Sequence, residues 1–294
     1  MNGLLIIDKE KNVTSHDVVN QIRKIFNMKK VGHVGTLDPI STGVLVILLG
    51  NATKLAPFLE NDKKEYIAKI RFGMATDTYD VTGNITEQVE VLNLTESVID
   101  ETLSKMKGVQ LQKPPIYSAI KIAGKKLYEY ARSNKEVEIP TREIEVYEAK
   151  RITPLILDNG FYKCDILFHV SKGTYIRSLI NDLGKMISVP SCMEELRRTK
   201  SGKFNIEKSS KLSDVKVGKF QLLNPLEILE MPIMKVDINS EIYRKAINGM
   251  KISPNVYSDK PFQFAVECNN KLIAIYEFIQ SEIPHYKSIR VWND

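Results

Sequence analysis

The segment GHVGTLDPISTG, residues 32–43, leads directly into the apolar run VLVILL of residues 44–49. Six consecutive apolar residues predict a buried strand, because no polar side chain interrupts the run. In the preceding loop, Pro39 favours extended backbone at Asp38 and so fixes the direction of its carboxylate. The glycines of the loop allow its backbone to approach a ligand closely. The sequence therefore predicts one acid presented rigidly beside a buried strand, although an isolated Asp-Pro would indicate only a turn.

Helical and strand periodicities follow on both sides of this junction. Residues 14–27 predict a helix with one apolar stripe, capped by Thr14 or Ser15, and a second helix is predicted from about Thr174. Between them, two stretches with alternating apolar positions predict half-buried strands. These positions are Tyr66, Ala68, Ile70 and Phe72, and then Tyr162, Cys164, Ile166 and Phe168. We therefore predict an α+β fold, mixed α/β with a mainly antiparallel sheet.

The end of the chain has a different pattern. Pro225 and Pro232 bracket a short apolar segment, after which strand-like patterns dominate and helix signals are few. We predict a boundary near residue 233, which separates a large domain of residues 1–232 from a small β-rich domain of residues 233–294.

Composition narrows the function classes without choosing one. The chain has 294 residues, 43% of them hydrophobic, and a formal net charge of +6, which permits nucleic-acid binding without requiring it. Since no apolar run approaches the roughly 20 residues of a membrane span, and no signal peptide is evident, we expect a cytoplasmic protein. Three widely spaced cysteines indicate a reduced compartment and no metal site.

The loop motif carries a specific resemblance. Residues 32–43 closely resemble GHxGTLDPxATG, the catalytic motif of the TruB-type tRNA pseudouridine synthases, with Ser41 at the usual alanine. Further family-like segments occur in the same order along the chain: residues 3–9 (with Glu10 at the usual proline), 14–17, 64–66, 171–177 and 196–204. The resemblance implies a pseudouridine-synthase fold that isomerises uridine 55 in the T loop of tRNA. It implies Asp38 as the essential carboxylate and neither cofactor nor metal.

The resemblance also assigns roles around Asp38. Tyr66 is the expected stacking residue for the target base, because a flipped base loses about 1–3 kcal/mol of stacking that an aromatic face can restore. Arg177 is expected to pair with Asp38 and hold it ionised, and Tyr175 to line the uracil pocket. Taken alone, Tyr66 would be read as a core tyrosine and Arg177 as a surface arginine.

RNA contacts are expected from three further regions. His33 is similar to the histidine that contacts displaced T-loop bases, although a lone histidine is more often structural. Leu196 begins the segment 196–204, which is expected to supply the cleft floor and basic contacts. Residues 113–142 resemble the RNA-gripping insertion of stand-alone bacterial enzymes, although a solvated amphipathic helix around residues 127–131 is the alternative. The side chains of this insertion suited to RNA are Lys121, Lys125, Lys126, Arg132, Tyr117, Tyr128 and Tyr130.

The expected partner is tRNA, bound through its T stem-loop. By resemblance, the C-terminal domain is an RNA-binding PUA-like module, and the protein is a monomer that needs neither guide RNA nor an obligate protein partner. A role in tRNA folding would be compatible with catalysis.

Two other functions remain open at this point. An RNA or nucleoside glycoside hydrolase would need a second carboxylate, for which Asp77 and Asp80 are the candidates. A non-catalytic RNA-binding protein would need no catalytic residue. For a synthase, the sequence does not decide whether Asp38 attacks C1′, attacks C6 or removes the 2′ proton, and Tyr66 is a candidate for removing the C5 proton.

Overall fold

A computed structural model describes residues 1–60, 63–118, 120–133 and 137–292, without the side chains of Tyr128 and Arg132. The RNA contacts predicted for these two side chains therefore lie outside the described part. The described helices are α1 (Ser15–Ile25), α2 (Ala56–Leu59), α3 (Glu96–Lys105), α4 (Leu127–Arg132), α5 (Ile176–Met186), α6 (Leu212–Lys216), α7 (Pro225–Ile228) and α8 (Glu241–Ile247), with 3₁₀ turns at Gly50–Leu55, Ile206–Lys208 and Pro254–Val256.

The strands divide into one large sheet, one small sheet and two short hairpins. They are β1 (Gly3–Lys9), β2 (Val31–Val34), β3 (Thr42–Leu49), β4 (Lys64–Phe72), β5 (Met74–Thr76), β6 (Ile85–Gln88), β7 (Gly108–Gln112), β8 (Lys121–Ile122), β9 (Lys125–Lys126), β10 (Arg142–Arg151), β11 (Ile156–Asp158), β12 (Phe161–Val170), β13 (Ser191–Ser201), β14 (Phe204–Asn205), β15 (Ile233–Lys235), β16 (Gln263–Cys268), β17 (Lys271–Ile279) and β18 (His285–Val291).

The large sheet has the order β1-β3-β13-β4-β12-β10-β7, with β2, β14 and β11 attached to β3, β13 and β12. Its pairs are antiparallel except for β3 and β13, which run parallel. The prediction of an α+β fold with a mainly antiparallel sheet is confirmed.

Both predicted helices form, and local chemistry explains why α1 begins where it does. The Thr14 hydroxyl accepts a hydrogen bond from the Asp17 amide, while the Asp17 carboxylate accepts one from the Thr14 amide. This reciprocal cap satisfies two amides that a helix start leaves unpaired. In α5, the residues at helical spacing, Ile176, Leu179, Ile180 and Leu183, are all buried.

The alternating segments form neighbouring strands of the large sheet. Strand β4 alternates strictly between buried and half-buried positions, and Tyr66 lies opposite Phe168 of β12 and Arg198 of β13. The buried face of these strands packs against α3 and α5 in one apolar core, which includes Ile70, Phe168 and Leu179. Since Leu37 and Ile40 belong to the same core, it also anchors the loop that carries Asp38.

The small sheet has the order β15-β16-β17-β18 and follows the predicted boundary. It has a core of its own, which includes Phe264, Tyr276 and Tyr286, and it also shares a core with the large sheet. One cluster of buried residues, here called the junction core, joins the two sheets; it contains Leu4, Val46 and Leu48 from the large sheet and Ala265, Leu272, Ile275 and Trp292 from the C-terminal part. Two further bonds cross the junction: Trp292 donates its indole N–H to the Asn51 carbonyl (2.9 Å), and Lys54 donates to the Val291 carbonyl (2.6 Å).

Among the helices described, none combines the length and the apolar character needed to cross a membrane.

Candidate functional site

The loop that carries Asp38 is anchored on both sides of this residue. The Ser15 hydroxyl, at the start of α1, accepts a hydrogen bond from the Leu37 amide (2.9 Å) and donates one to the Leu37 carbonyl (3.1 Å). On the other side, the Asn12 amide donates to the Pro39 carbonyl (2.8 Å). Asp38 therefore lies between two fixed peptide units, and its carboxylate is held without being buried.

Arg198 supports this loop from below. Only 1% of Arg198 is exposed, and its guanidinium donates to the carbonyls of Val44 and Gly35, at 2.7 Å each. Gly35 has φ +68°, and a Cβ there would lie 3.2 Å from the arginine. Gly43 has φ +103°, and a Cβ there would lie 2.2 Å from the Arg198 carbonyl oxygen. Both glycines are required by this close packing and by their backbone conformation.

Lys9, at the end of β1, supports the same loop from a fully buried position. Its ammonium donates to three carbonyls, those of Val13 (2.6 Å), Glu10 (3.0 Å) and Pro39 (3.3 Å). Burial lowers the pKa of Lys9 to about 8, and the negative charge of Asp38 opposes that shift.

Arg177 connects the loop that carries Asp38 to two other segments. Its Nε lies 3.0 Å from an oxygen of the Asp38 carboxylate. Its Nη1 donates to the Thr78 carbonyl (2.9 Å) and lies 3.4 Å from the Asp80 carboxylate, while Nη2 donates to the Tyr117 carbonyl (3.0 Å). Since 5% of the arginine side chain is exposed, it is a buried cation, unlike the surface arginine that its sequence alone would suggest.

The two carboxylates considered for a glycoside hydrolase, Asp77 and Asp80, are both held by hydrogen bonds within their own segment. Asp80 is buried and accepts hydrogen bonds from the Thr82 amide (2.9 Å) and from the hydroxyls of Thr82 (2.5 Å) and Thr78 (3.0 Å). Asp77 accepts from the amide and side chain of Asn84. Neither acid is among the described residues that line the cleft beside Asp38. The second carboxylate of a hydrolase is therefore not supplied by these positions.

Beside Asp38 lies an open cleft of about 790 Å³. It brings together five of the predicted site residues: Asp38, Tyr66, Tyr175, Arg177 and Leu196. Cations outnumber acids along its described walls, and three of them, Lys64, Arg142 and Lys172, were assigned no role from the sequence. Lys64 and Lys172 lie within family-like segments, and Arg142 ends the predicted insertion. Their position in these segments is the sequence feature that could have indicated a role in the cleft. This lining suits a polyanionic ligand.

The two tyrosines of the cleft are held by different means. Tyr66 is 7% exposed on β4, so it is both a core residue and part of the cleft wall. Tyr175 caps the start of α5, where its amide donates to the side-chain oxygen of Gln112 (2.8 Å) and its carbonyl accepts from the same side chain (3.0 Å). Burial raises the pKa of Tyr175, so its hydroxyl stays protonated at neutral pH. The sequence did not predict a role for Gln112, because no motif or periodic pattern includes it.

His33 does not line the described cleft walls. It lies half-buried on β2, and its Nε2 is 3.3 Å from the hydroxyl of Thr36, which does line the cleft. Burial lowers its pKa, which favours a neutral ring. This geometry places His33 next to the cleft and suits a contact to RNA better than proton transfer.

The predicted lysines of the insertion lie on a short hairpin rather than in the cleft. Strands β8 and β9 place Lys121 directly opposite Lys126, and Lys125 is exposed. Helix α4 follows, so the amphipathic helix considered for this segment does form. The expected basic contacts of residues 196–204 are only partly available, because Arg198 is directed inward.

The whole fold resembles that of a solved structure, and two family models match the sequence. A solved Cbf5–Nop10–Gar1 complex contains a chain that matches 99% of this protein with a TM-score of 0.69, at 23% identity over 84% of that chain. A model of the TruB family pseudouridylate synthase N-terminal domain matches residues 23–176, and one of the tRNA pseudouridylate synthase B C-terminal domain matches residues 177–227.

Relatives that match most of the chain carry the name of the same family. The chain is 40% identical to tRNA pseudouridine synthase B of Oceanobacillus iheyensis over 302 residues, 99% of this chain and 98% of that protein. It is 42% identical to the Bacillus pumilus enzyme of the same name over 255 residues, 85% and 82% of the two chains. The chain therefore belongs to the TruB family of tRNA pseudouridine synthases, isomerases that convert uridine to pseudouridine.

Proposed function

We propose that this chain converts uridine 55 in the T loop of tRNA to pseudouridine, with Asp38 as the catalytic carboxylate. The observation that carries the proposal is the ion pair between Arg177 and Asp38 at the edge of the cleft. The buried arginine fixes the position of the carboxylate, while the acid remains 41% exposed and can reach a ligand.

The reaction rearranges bonds within one nucleotide. The bond from N1 to C1′ breaks, the uracil turns while it is held, and a new bond forms from C5 to C1′; the C5 proton leaves and N1 gains a proton. An ionised carboxylate at this place can act by attacking C1′, by attacking C6 or by removing the 2′ proton. Each route uses the Asp38 carboxylate, which Arg177 holds in place.

The target base must leave its stack before this chemistry can begin. We propose that it enters the cleft and stacks on Tyr66, which restores about 1–3 kcal/mol of lost stacking. Tyr175 lies on the same cleft and would confine the base from another side.

The rest of the RNA would be held outside the cleft. Lys121 and Lys126 lie directly opposite each other on the hairpin, so the two side chains place positive charge at one site, which suits a phosphate. We propose that this hairpin and His33 contact the T arm, and that residues 233–294 form a PUA-like RNA-binding domain. In this proposal a monomer acts in the cytoplasm without guide RNA, and its grip on the T arm could also assist tRNA folding.

Incubation of the purified protein with unmodified tRNA, followed by mapping of pseudouridine, tests the proposal. We expect modification at position 55 in wild type and none with Asp38→Asn, and we expect isolated T-arm stem-loops to be substrates. Modification elsewhere, or strict dependence on the anticodon arm, would refute the assigned substrate. Release of free uracil without pseudouridine would instead identify a hydrolase.

A further inference from the structure

Ser41 and Ser118 are the two buried serines of the described cleft lining whose hydroxyls have no hydrogen-bond partner, and of these Ser41 is the one on the loop that carries Asp38. It lies on the turn that carries Asp38, where its amide donates to the Asp38 carbonyl (3.0 Å), and it lines the cleft. Its side chain is fully buried, and within the described part of the chain its hydroxyl has no hydrogen-bond partner. By contrast, the buried hydroxyls of Ser15 and Ser178 bond to the carbonyls of Leu37 and Lys113.

An unpaired hydroxyl is costly at such a place. Leu37, Ile40, Tyr66 and Leu196 belong to one apolar core around this part of the cleft, so the surroundings supply few polar groups. A buried polar group without a partner destabilises a folded protein, and such groups are rare where no ligand completes them. Replacing this serine by alanine would remove the hydroxyl and keep the packing, so its presence calls for a partner from outside the chain.

We propose that the Ser41 hydroxyl donates a hydrogen bond to a carbonyl oxygen of the uracil that enters the cleft, and so holds the base during isomerisation. This inference rests on the proposed function, because it assumes that Asp38 and Tyr66 receive the target nucleotide.

The chemistry of the reaction gives this contact a particular value. Turning a uracil by half a turn about the line from N3 to C6 exchanges N1 with C5 and also exchanges O2 with O4. A fixed donor that meets one carbonyl before the turn therefore meets the other carbonyl after it. Ser41 can therefore keep one hydrogen bond to the base in both orientations.

Ser41→Ala should raise the stability of the protein and weaken its binding of the substrate. We expect the free variant to melt about 2 °C higher than wild type, because an unsatisfied hydroxyl is gone. We expect its KM for a T-arm stem-loop to rise about three- to tenfold, as for the loss of one hydrogen bond. Ser191→Ala is the matched control: Ser191 is buried, but its hydroxyl donates to the Ile180 carbonyl (2.7 Å), so this variant should lose stability and keep the wild-type KM.

Stem-loops with 2-thiouridine or 4-thiouridine at the target position identify the atom that is contacted, because sulfur is a poorer acceptor than oxygen. One thio substitution should weaken binding to wild type and have a smaller effect on Ser41→Ala, which shows coupling between the two groups. Equal KM values for wild type and Ser41→Ala, lower stability of the variant, or additive effects for both thio substitutions would overturn the inference. Wild type that forms no pseudouridine in stem-loops would instead refute the proposed function.

Discussion

Arg177 Nε lies 3.0 Å from the Asp38 carboxylate, and the side chains differ in exposure, at 5% for the arginine and 41% for the acid. The arginine is fixed on its far side by the carbonyls of Thr78 and Tyr117. Because its position does not depend on the acid, Arg177 can hold the Asp38 carboxylate in one direction while a ligand approaches from the cleft. Substitutions of the two residues should therefore have different effects on turnover.

Asp38→Asn keeps the size of the side chain but can act neither as a nucleophile nor as a base. We expect single-turnover pseudouridine formation to fall by at least about 10²-fold, while tRNA affinity stays close to wild type. Rapid-quench assays and filter binding measure the two quantities. Substantial residual turnover, with wild-type contamination excluded, would overturn the assignment of the acid.

Arg177→Lys keeps one positive charge but cannot contact Asp38 and two carbonyls at once. We expect slow residual turnover and a loss of stability, since each buried acceptor left unpaired costs about 1–3 kcal/mol. Arg151→Lys is the matched control, because Arg151 also joins two acids, Asp100 and Glu96, to a carbonyl but lies outside the cleft lining. It should lose stability and keep the wild-type rate, so equal rate losses in both variants would contradict a special role for Arg177.

The sequence predicted those features that local patterns encode. Helix α1, helix α5 and the alternation around Tyr66 depend on spacing within one element, and the Asp38 loop depends on a contiguous motif. Arg198 and Lys9 were not predicted as supports of this loop, because each reaches it from a strand distant in the chain. The alternation of β13 that buries Leu196 also buries Arg198, but a charged residue gives no apolar signal, so its inward direction was not predicted.

Asp80 illustrates a second limit. The sequence marked it as a possible hydrolase acid, but its carboxylate lies 3.4 Å from Arg177 Nη1 and is buried. Only the fold brings the two residues together, since 97 positions separate them in the chain. The sequence indicated only that the loop glycines, which include Gly35 and Gly43, allow a close approach of the backbone. In the structure, Arg198 occupies the space that these two glycines leave.

Lys9 should make stability depend on pH in a defined window. Its pKa is about 8 in the folded protein and near 10.5 when unfolded, so between these values the unfolded chain binds more protons. Stability contributed by this group therefore rises with pH from about 8 to 10.5, as the penalty for the buried cation disappears. In urea unfolding, the advantage of wild type over Lys9→Met should grow across this window.

A second buried lysine provides the control for that measurement. Lys163 is paired with Asp158 and Glu194, and its hydrogen bond to Asp158 raises its pKa. Its contribution is complete below the unfolded pKa and declines only as pH rises through the higher folded value. The difference between wild type and Lys163→Met should therefore stay constant from pH 7 to 9.5. Parallel curves for both lysine variants would contradict the assigned shift of Lys9.

The junction core predicts that the C-terminal part does not unfold alone. Trp292 is the single tryptophan of the chain and packs in this core, so its fluorescence reports the contact between the two sheets. We expect urea transitions followed by tryptophan fluorescence and by far-UV circular dichroism to coincide.

Deletion of residues 233–294 should lower the melting temperature of the remaining chain by roughly 10 °C or more, since several buried apolar groups lose their partners at once. Separate transitions, or an undisturbed truncated domain, would show that the two sheets are independent.

The last prediction concerns the insertion, where the structure dictates the design. Deleting all of residues 113–142 would remove the Tyr117 carbonyl that holds Arg177 and the Lys113 carbonyl that accepts from Ser178, so it would damage the active site as well as RNA binding. Neutralising three lysines to alanine, at positions 121, 125 and 126, avoids this. We expect weaker T-arm binding and a log–log salt slope shallower by roughly 2, because each phosphate contact contributes about 0.7–0.9. The rate at saturating RNA should remain that of wild type.

The control replaces three exposed lysines near α6, at positions 211, 216 and 219, which lie outside the described cleft lining. An equal change of slope in both triple variants would mean that net charge, and not the hairpin, governs RNA binding.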